Sequence, residues 1–144
     1  MLKMLPLFVC LLALAGCKTY SLDELPESRL YFGSGGGYAA TFTEYMLLEN
    51  GQLFKREGQK SEFLPLSKTK RSEAKALFKD WAAQKMIGLD FQHPGNLYRF
   101  VRMEEGKEKH RLSWGASSHP TPDAIKSFYK ACTALIPKVD SPKK

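Results

Sequence analysis

The pair Asn50-Gly51 lies between two stretches of strand-forming residues and constrains the fold of this chain more than any other feature. Asn and Gly tolerate the positive φ angles of a two-residue hairpin turn, so Gln52–Arg56 is expected to return antiparallel to Tyr45–Glu49. Upstream, Leu30-Tyr31-Phe32 reads as a short strand, Gly33-Ser34-Gly35-Gly36-Gly37 as its break, and Tyr38–Leu48 as a further stretch rich in strand formers. A second hairpin is expected from Leu97–Met103, the polar turn Glu104-Glu105-Gly106-Lys107 and Lys109–Trp114. On its return strand the period of two places His110, Leu112 and Trp114 on one face.

Two helices complete the pattern. Between Lys68 and Met86, the residues Ala74, Leu77, Phe78, Trp81 and Ala82 recur at helical spacing and form one apolar stripe, with Ser67 or Ser72 as cap and Gly88 as stop. The second helix opens with Thr121 as cap, Pro122 at its first position and Asp123 in its first turn, where the helix dipole favours a negative charge. Its stripe is Ile125, Phe128, Tyr129, Cys132, Leu135 and Ile136. The expected fold class is α+β: an antiparallel sheet of two hairpins with two helices packed on one face, in the order strands, helix, strands, helix.

The N-terminus reads as an address. Lys3 is followed by the uncharged run Met4–Ala15, the mark of a secretory signal. That run is shorter than the roughly 20 apolar residues a membrane span requires. Leu14-Ala15-Gly16-Cys17 resembles the lipobox of bacterial lipoproteins, which implies that the Cys17 sulfur carries diacylglycerol and that cleavage precedes it. More than one acyl chain makes such an anchor effectively permanent. The expected layout is residues 1–16 as signal, 17–28 as lipidated tether, 29–136 as one domain and 137–144 as a basic tail. Of the three cysteines, Cys10 leaves with the signal and Cys17 is acylated, so Cys132 has no disulfide partner and is expected to be a small apolar core residue.

No catalytic constellation accompanies this fold. His93, His110 and His119 show no metal-ligand spacing, and neither a metal nor a cofactor is expected. Ser67-Lys68-Thr69-Lys70 matches a bare Ser-x-x-Lys, but the Ser-Asp-Asn and Lys-Thr-Gly elements of penicillin-recognising enzymes are absent from the sequence. No Gly-x-Ser-x-Gly elbow occurs. The chain therefore reads as a non-enzyme.

Two features are candidates for binding. Gly33, Ser34, Gly35, Gly36 and Gly37, followed by Tyr38, fit neither a phosphate loop nor a dinucleotide fingerprint, which leaves a structural turn or a contact loop. The net charge of +7 is concentrated between Lys55 and Lys85. There Arg71, Lys75 and Lys79 recur at spacing four on the polar side of the first helix, as a solvated face or as a patch for anionic lipid, glycan or acidic protein. An exported chain has no reason to meet nucleic acid.

Phe32-Gly-Ser-Gly-Gly-Gly-Tyr-Ala, Met86-Ile-Gly-Leu89, Pro94-Gly-Asn-Leu-Tyr-Arg-Phe100, Lys109-His-Arg-Leu-Ser-Trp114 and the Pro122-led helix resemble small lipoproteins of Bacteroidota. More distantly, they are similar to emfourin-type protein inhibitors of thermolysin-like metallopeptidases. The resemblance implies a lipid-anchored envelope protein with a non-catalytic binding domain, a protein-interaction module or a peptidase inhibitor. The alternative is an envelope module that holds anionic glycan or lipid on its basic face. Because Lys18, and not Asp, follows Cys17, the analogy with other lipoproteins favours the outer membrane.

Overall fold

The structure, a computed structural model, describes residues 18–138. The expected signal at 1–16, Cys17 and the last six residues of the expected tail lie outside the described residues.

The described residues form one seven-stranded sheet with two α-helices. In chain order the elements are β1 (Ser28–Gly36), β2 (Thr41–Leu47), β3 (Gln52–Glu57), β4 (Leu64–Lys68), α1 (Arg71–Ala83), a 3-10 turn (Met86–Gly88), β5 (Gln92–His93), β6 (Leu97–Glu105), β7 (Glu108–Trp114) and α2 (Asp123–Thr133). Across the sheet the order is β4-β3-β2-β1-β6-β7-β5, antiparallel except that β5 runs parallel to β7.

This corrects the expectation of two hairpins. The glycine run does not break the first strand: Gly33, Ser34, Gly35 and Gly36 all belong to β1, which pairs with β2 on one side and with β6 on the other. A single central strand thereby fuses the two hairpins into one sheet. Two edge strands also escape the sequence pattern. Pro65 sits within β4, where an edge position needs no outward N–H, and β5 is too short to show a period.

Strand alternation splits the side chains into two cores. Leu30, Phe32, Leu47, Leu53, Val101, Met103, Leu112 and Trp114 face the helices and pack with Ala74, Leu77 and Trp81 of α1 and Ile125, Phe128 and Cys132 of α2. Trp81 anchors the layer, with its ring edge-on to Phe128 at 5.5 Å and to His110 at 5.9 Å. The opposite face carries no helix. There Tyr31, Met46, Leu48 and Phe54 form a second cluster, covered by Tyr20, Leu25 and Phe63.

That cover changes the reading of the N-terminal segment, which was expected to be a tether. Gln52 accepts from the Tyr20 backbone N–H at 2.7 Å and donates to the Tyr20 carbonyl at 3.0 Å, while the Asn50 amide donates to the Lys18 carbonyl at 2.7 Å. The segment is laid against the sheet because Tyr20 and Leu25 complete an apolar cluster that no helix covers. The helix starts differ as well. Lys70 precedes α1 and Pro122 precedes α2, neither start has a side-chain cap, and Ser67, Ser72 and Thr121 do not serve as caps.

Cys132 is fully buried within the helix-side core, and burial pushes its thiol far above the usual range. The thiolate is the reactive form. A thiol reagent at pH 8 should therefore leave Cys132 unmodified in the native chain and label it only when denaturant is added. Labelling at the rate of a free thiol under native conditions would show that α2 does not stay docked.

Candidate functional site

The glycine run solves a packing problem at the centre of the sheet. Gly33 and Gly35 point to the helix-free face, where Phe42 on β2 and Phe100 on β6 stack across β1 with centroids 5.8 Å apart and planes 9° apart. A β-carbon on Gly33 would lie 2.1 Å from the Thr43 carbonyl oxygen and 3.0 Å from the Phe100 ring. On Gly35 it would meet the Tyr98 hydroxyl at 2.5 Å. Aromatic rings from both neighbours thus fill the space that side chains on β1 would need. Gly36 and Gly37 turn the chain toward β2 with φ of 92° and 81°, values suited to glycine.

Of the six expected contact residues, Gly33, Gly35, Gly36 and Gly37 are thus accounted for by the fold. Ser34 is exposed on the helix side of β1, and Tyr38 stands fully exposed at the tip of the β1–β2 connection. Beside that tip, Leu97 is 68% exposed. A groove of about 430 Å³ opens at this end, lined by Ser34, Thr41, Leu97, Arg99, Trp114 and Gly115 among others. His93 pairs with Trp114 in the β5–β7 register, and its imidazole stacks on that of His119 with centroids 3.7 Å apart.

Arg71, Lys75 and Lys79 are all exposed on α1, and none pairs with a carboxylate among the described residues. The structure does not bring them to the glycine turn. Helix α1 follows Thr69, whose N–H donates to the Gly51 carbonyl, so the helix starts at the Asn50-Gly51 end of the sheet. Lys75 and Lys79 line a shallow depression there together with Glu49 and Glu105, which offset part of their charge.

A third feature has no counterpart in the sequence reading. On the helix-free face, Glu44 is completely buried and meets two arginines, accepting from Arg56 Nε at 2.7 Å and lying 3.1 Å from Arg102 Nη2. Glu104, also buried, lies 3.1 Å from Arg102 Nε, 2.8 Å from Arg29 Nη2 and 3.6 Å from Lys109 Nζ. The guanidiniums rest on rings: Arg56 on Phe63 at 4.7 Å, Arg102 on Tyr31 at 4.1 Å and Arg111 on Phe100 at 4.1 Å. Burial, then the Glu104 carboxylate, raises the Tyr31 phenol above its ordinary value, so it stays neutral beneath Arg102. The sequence signal for this network was the period-two placement of Tyr98, Phe100, Arg102 and Glu104, a polar and aromatic face opposite the apolar one.

Among the described residues, no group of three or more His, Cys, Asp and Glu side chains is placed to hold a metal ion. No described helix is long and apolar enough to cross a membrane. No protein-family model matches the chain, and no curated protein matches it either.

Proposed function

We propose that the chain is an envelope lipoprotein, acylated at Cys17 and held at the outer membrane, whose folded body binds a protein without catalysing a reaction. One observation carries this reading. Lys18, the residue after the proposed anchor, is fixed to Asn50 at one end of the sheet, while Tyr38 and Leu97 are exposed at the other. The nine residues of β1 separate those ends by about 26 Å at the usual rise per residue. An anchor at Cys17 therefore directs the exposed tyrosine and leucine away from the lipid. Exposed aromatic and aliphatic side chains beside a groove suit a protein surface better than a polymer of charge. The emfourin resemblance makes a secreted thermolysin-like metallopeptidase the first partner class to assay.

The test combines acylation with position-specific cross-linking in cells. An alkynyl palmitate analogue should label the wild type and not Cys17→Ser. A photo-reactive phenylalanine at position 38 should yield discrete protein adducts, and one at the exposed Lys107, near the Asn50 end, should not. Adducts at 107 with none at 38 would reverse the proposed orientation, and labelling that survives Cys17→Ser would remove the anchor.

A further inference from the structure

Among the described residues, the helix-free face carries a chain of alternating charges, and Arg111 stands beside it. Arg56, Glu44, Arg102, Glu104 and Arg29 follow one another as successive ion pairs, with Lys109 also on Glu104. Arg111 makes no such pair with any carboxylate among the described residues.

Its position is an unfavourable one for an unpaired cation. Arg111 lies directly opposite Arg102 in the β6–β7 register, where like charges destabilise a sheet. Its guanidinium is partly buried and lies against the Phe100 ring at 4.1 Å. That burial, followed by the charge of Arg102, holds it below the ordinary guanidinium range, yet an arginine remains protonated. A hydrated surface lysine needs no counter-ion. A half-desolvated arginine beside another arginine gains considerably from one.

We infer that Arg111 is the docking point for a single carboxylate of a partner polypeptide, a Glu or Asp side chain that extends the alternation of Arg56, Glu44, Arg102 and Glu104 by one acid. The inference rests on the protein-binding function proposed above and names the chemistry the partner brings. Charge complementarity favours one carboxylate over a phosphate-bearing chain. Arg56, Arg102 and Arg29 already have Glu44 and Glu104, so a run of phosphates would lay further negative charge against those acids. Stacking on Phe100 also leaves the guanidinium edge as donor, the geometry that takes a carboxylate through two parallel hydrogen bonds. Tyr98, next but one to Phe100 on the same strand face, leads from this position toward the end of the sheet that carries Leu97.

The full-length, isotope-labelled chain in non-ionic detergent micelles allows a direct test through the arginine Nε–H signals. The probes are capped pentaglutamate, capped pentaglutamine and inorganic phosphate at matched ionic strength. Pentaglutamate should shift the Arg111 signal saturably and leave Arg71 unmoved, and pentaglutamine should shift neither. Arg111→Gln should weaken pentaglutamate binding about tenfold or more, the loss of a two-bond charge-assisted pair. Arg111→Lys, which keeps the charge and the fold, should weaken it by a smaller factor. An unmoved Arg111 signal, an equal response to phosphate, or undiminished binding by Arg111→Gln would each overturn the assignment. Adducts at position 38 are read separately, so their persistence beside a failed titration would leave protein binding standing and remove only the carboxylate.

Discussion

Gly36→Ala is expected to destabilise the native chain by about 3 kcal/mol or more, because a left-handed backbone and a backbone collision are imposed together. Gly36 has φ of 92°, and a β-carbon there would lie 1.9 Å from the Asn96 carbonyl oxygen. That oxygen accepts from the neighbouring Gly37 N–H at 2.8 Å, so the contact cannot open without breaking a hydrogen bond. Gly33→Ala should be comparably severe, since β1 is held between β2 and β6 and cannot move away from the Thr43 carbonyl. Gly88→Ala supplies the control: nothing lies within 4 Å of the added carbon, and its effect should stay within about 0.5 kcal/mol. Urea midpoints of the three variants decide the matter. A Gly36→Ala midpoint equal to that of Gly88→Ala would mean that the turn is not held as described.

Glu44→Gln should cost about 3 kcal/mol, with side-chain shape conserved and only the charge removed. Glu44 is fully buried, and its carboxylate is shared between Arg56 and Arg102, whose side chains are about one-fifth exposed. Removing the acid leaves two partly desolvated guanidiniums facing each other across the sheet. Their residual contact with water keeps the loss at the lower end of what broken buried ion pairs show. Pairing Glu44→Gln with Arg102→Gln should recover part of the loss, because the second change removes a charge that the first left unmatched. Additive losses in that double variant, again by urea midpoint, would show that Glu44 and Arg102 do not interact.

The elements that depend on local chemistry are legible in this sequence. Asn50-Gly51 locates the β2–β3 turn, although the loop is the three residues Glu49–Gly51 with positive φ at Gly51 alone, one residue off the expected two-residue register. The stripe from Ala74 to Trp81 marks α1, and Pro122 with Asp123 marks the start of α2. The architecture of the sheet is not, and the reason lies in two glycines. Glycine normally weakens a strand, so Gly33 and Gly35 read as a break. Their spacing of two was the available clue, but its meaning depends on Phe42 and Phe100, which come from different strands, Phe100 lying 65 residues beyond Gly35. The candidate site divides in the same way. Tyr38 is exposed as its place in a turn implies, and Arg71, Lys75 and Lys79 are exposed as their helical spacing implies. The network around Glu44 needs strand register before it exists, since Arg56, Glu44 and Arg102 stand in three strands and meet only when these align.

The central place of β1 also governs how the chain can be made. Ser28 pairs with Glu105, so β1 leaves the ribosome 77 residues ahead of the far end of its second neighbour. Until β6 emerges, one long edge of β1 is an open template for any other chain. The hairpin of β2 and β3 can close early, but α2, which follows all seven strands, must still arrive to cover the helix-side face. The sheet and its helix layer are therefore completed only once α2 has emerged. For the exported lipoprotein proposed above, that delay suits passage through a narrow translocation channel before folding.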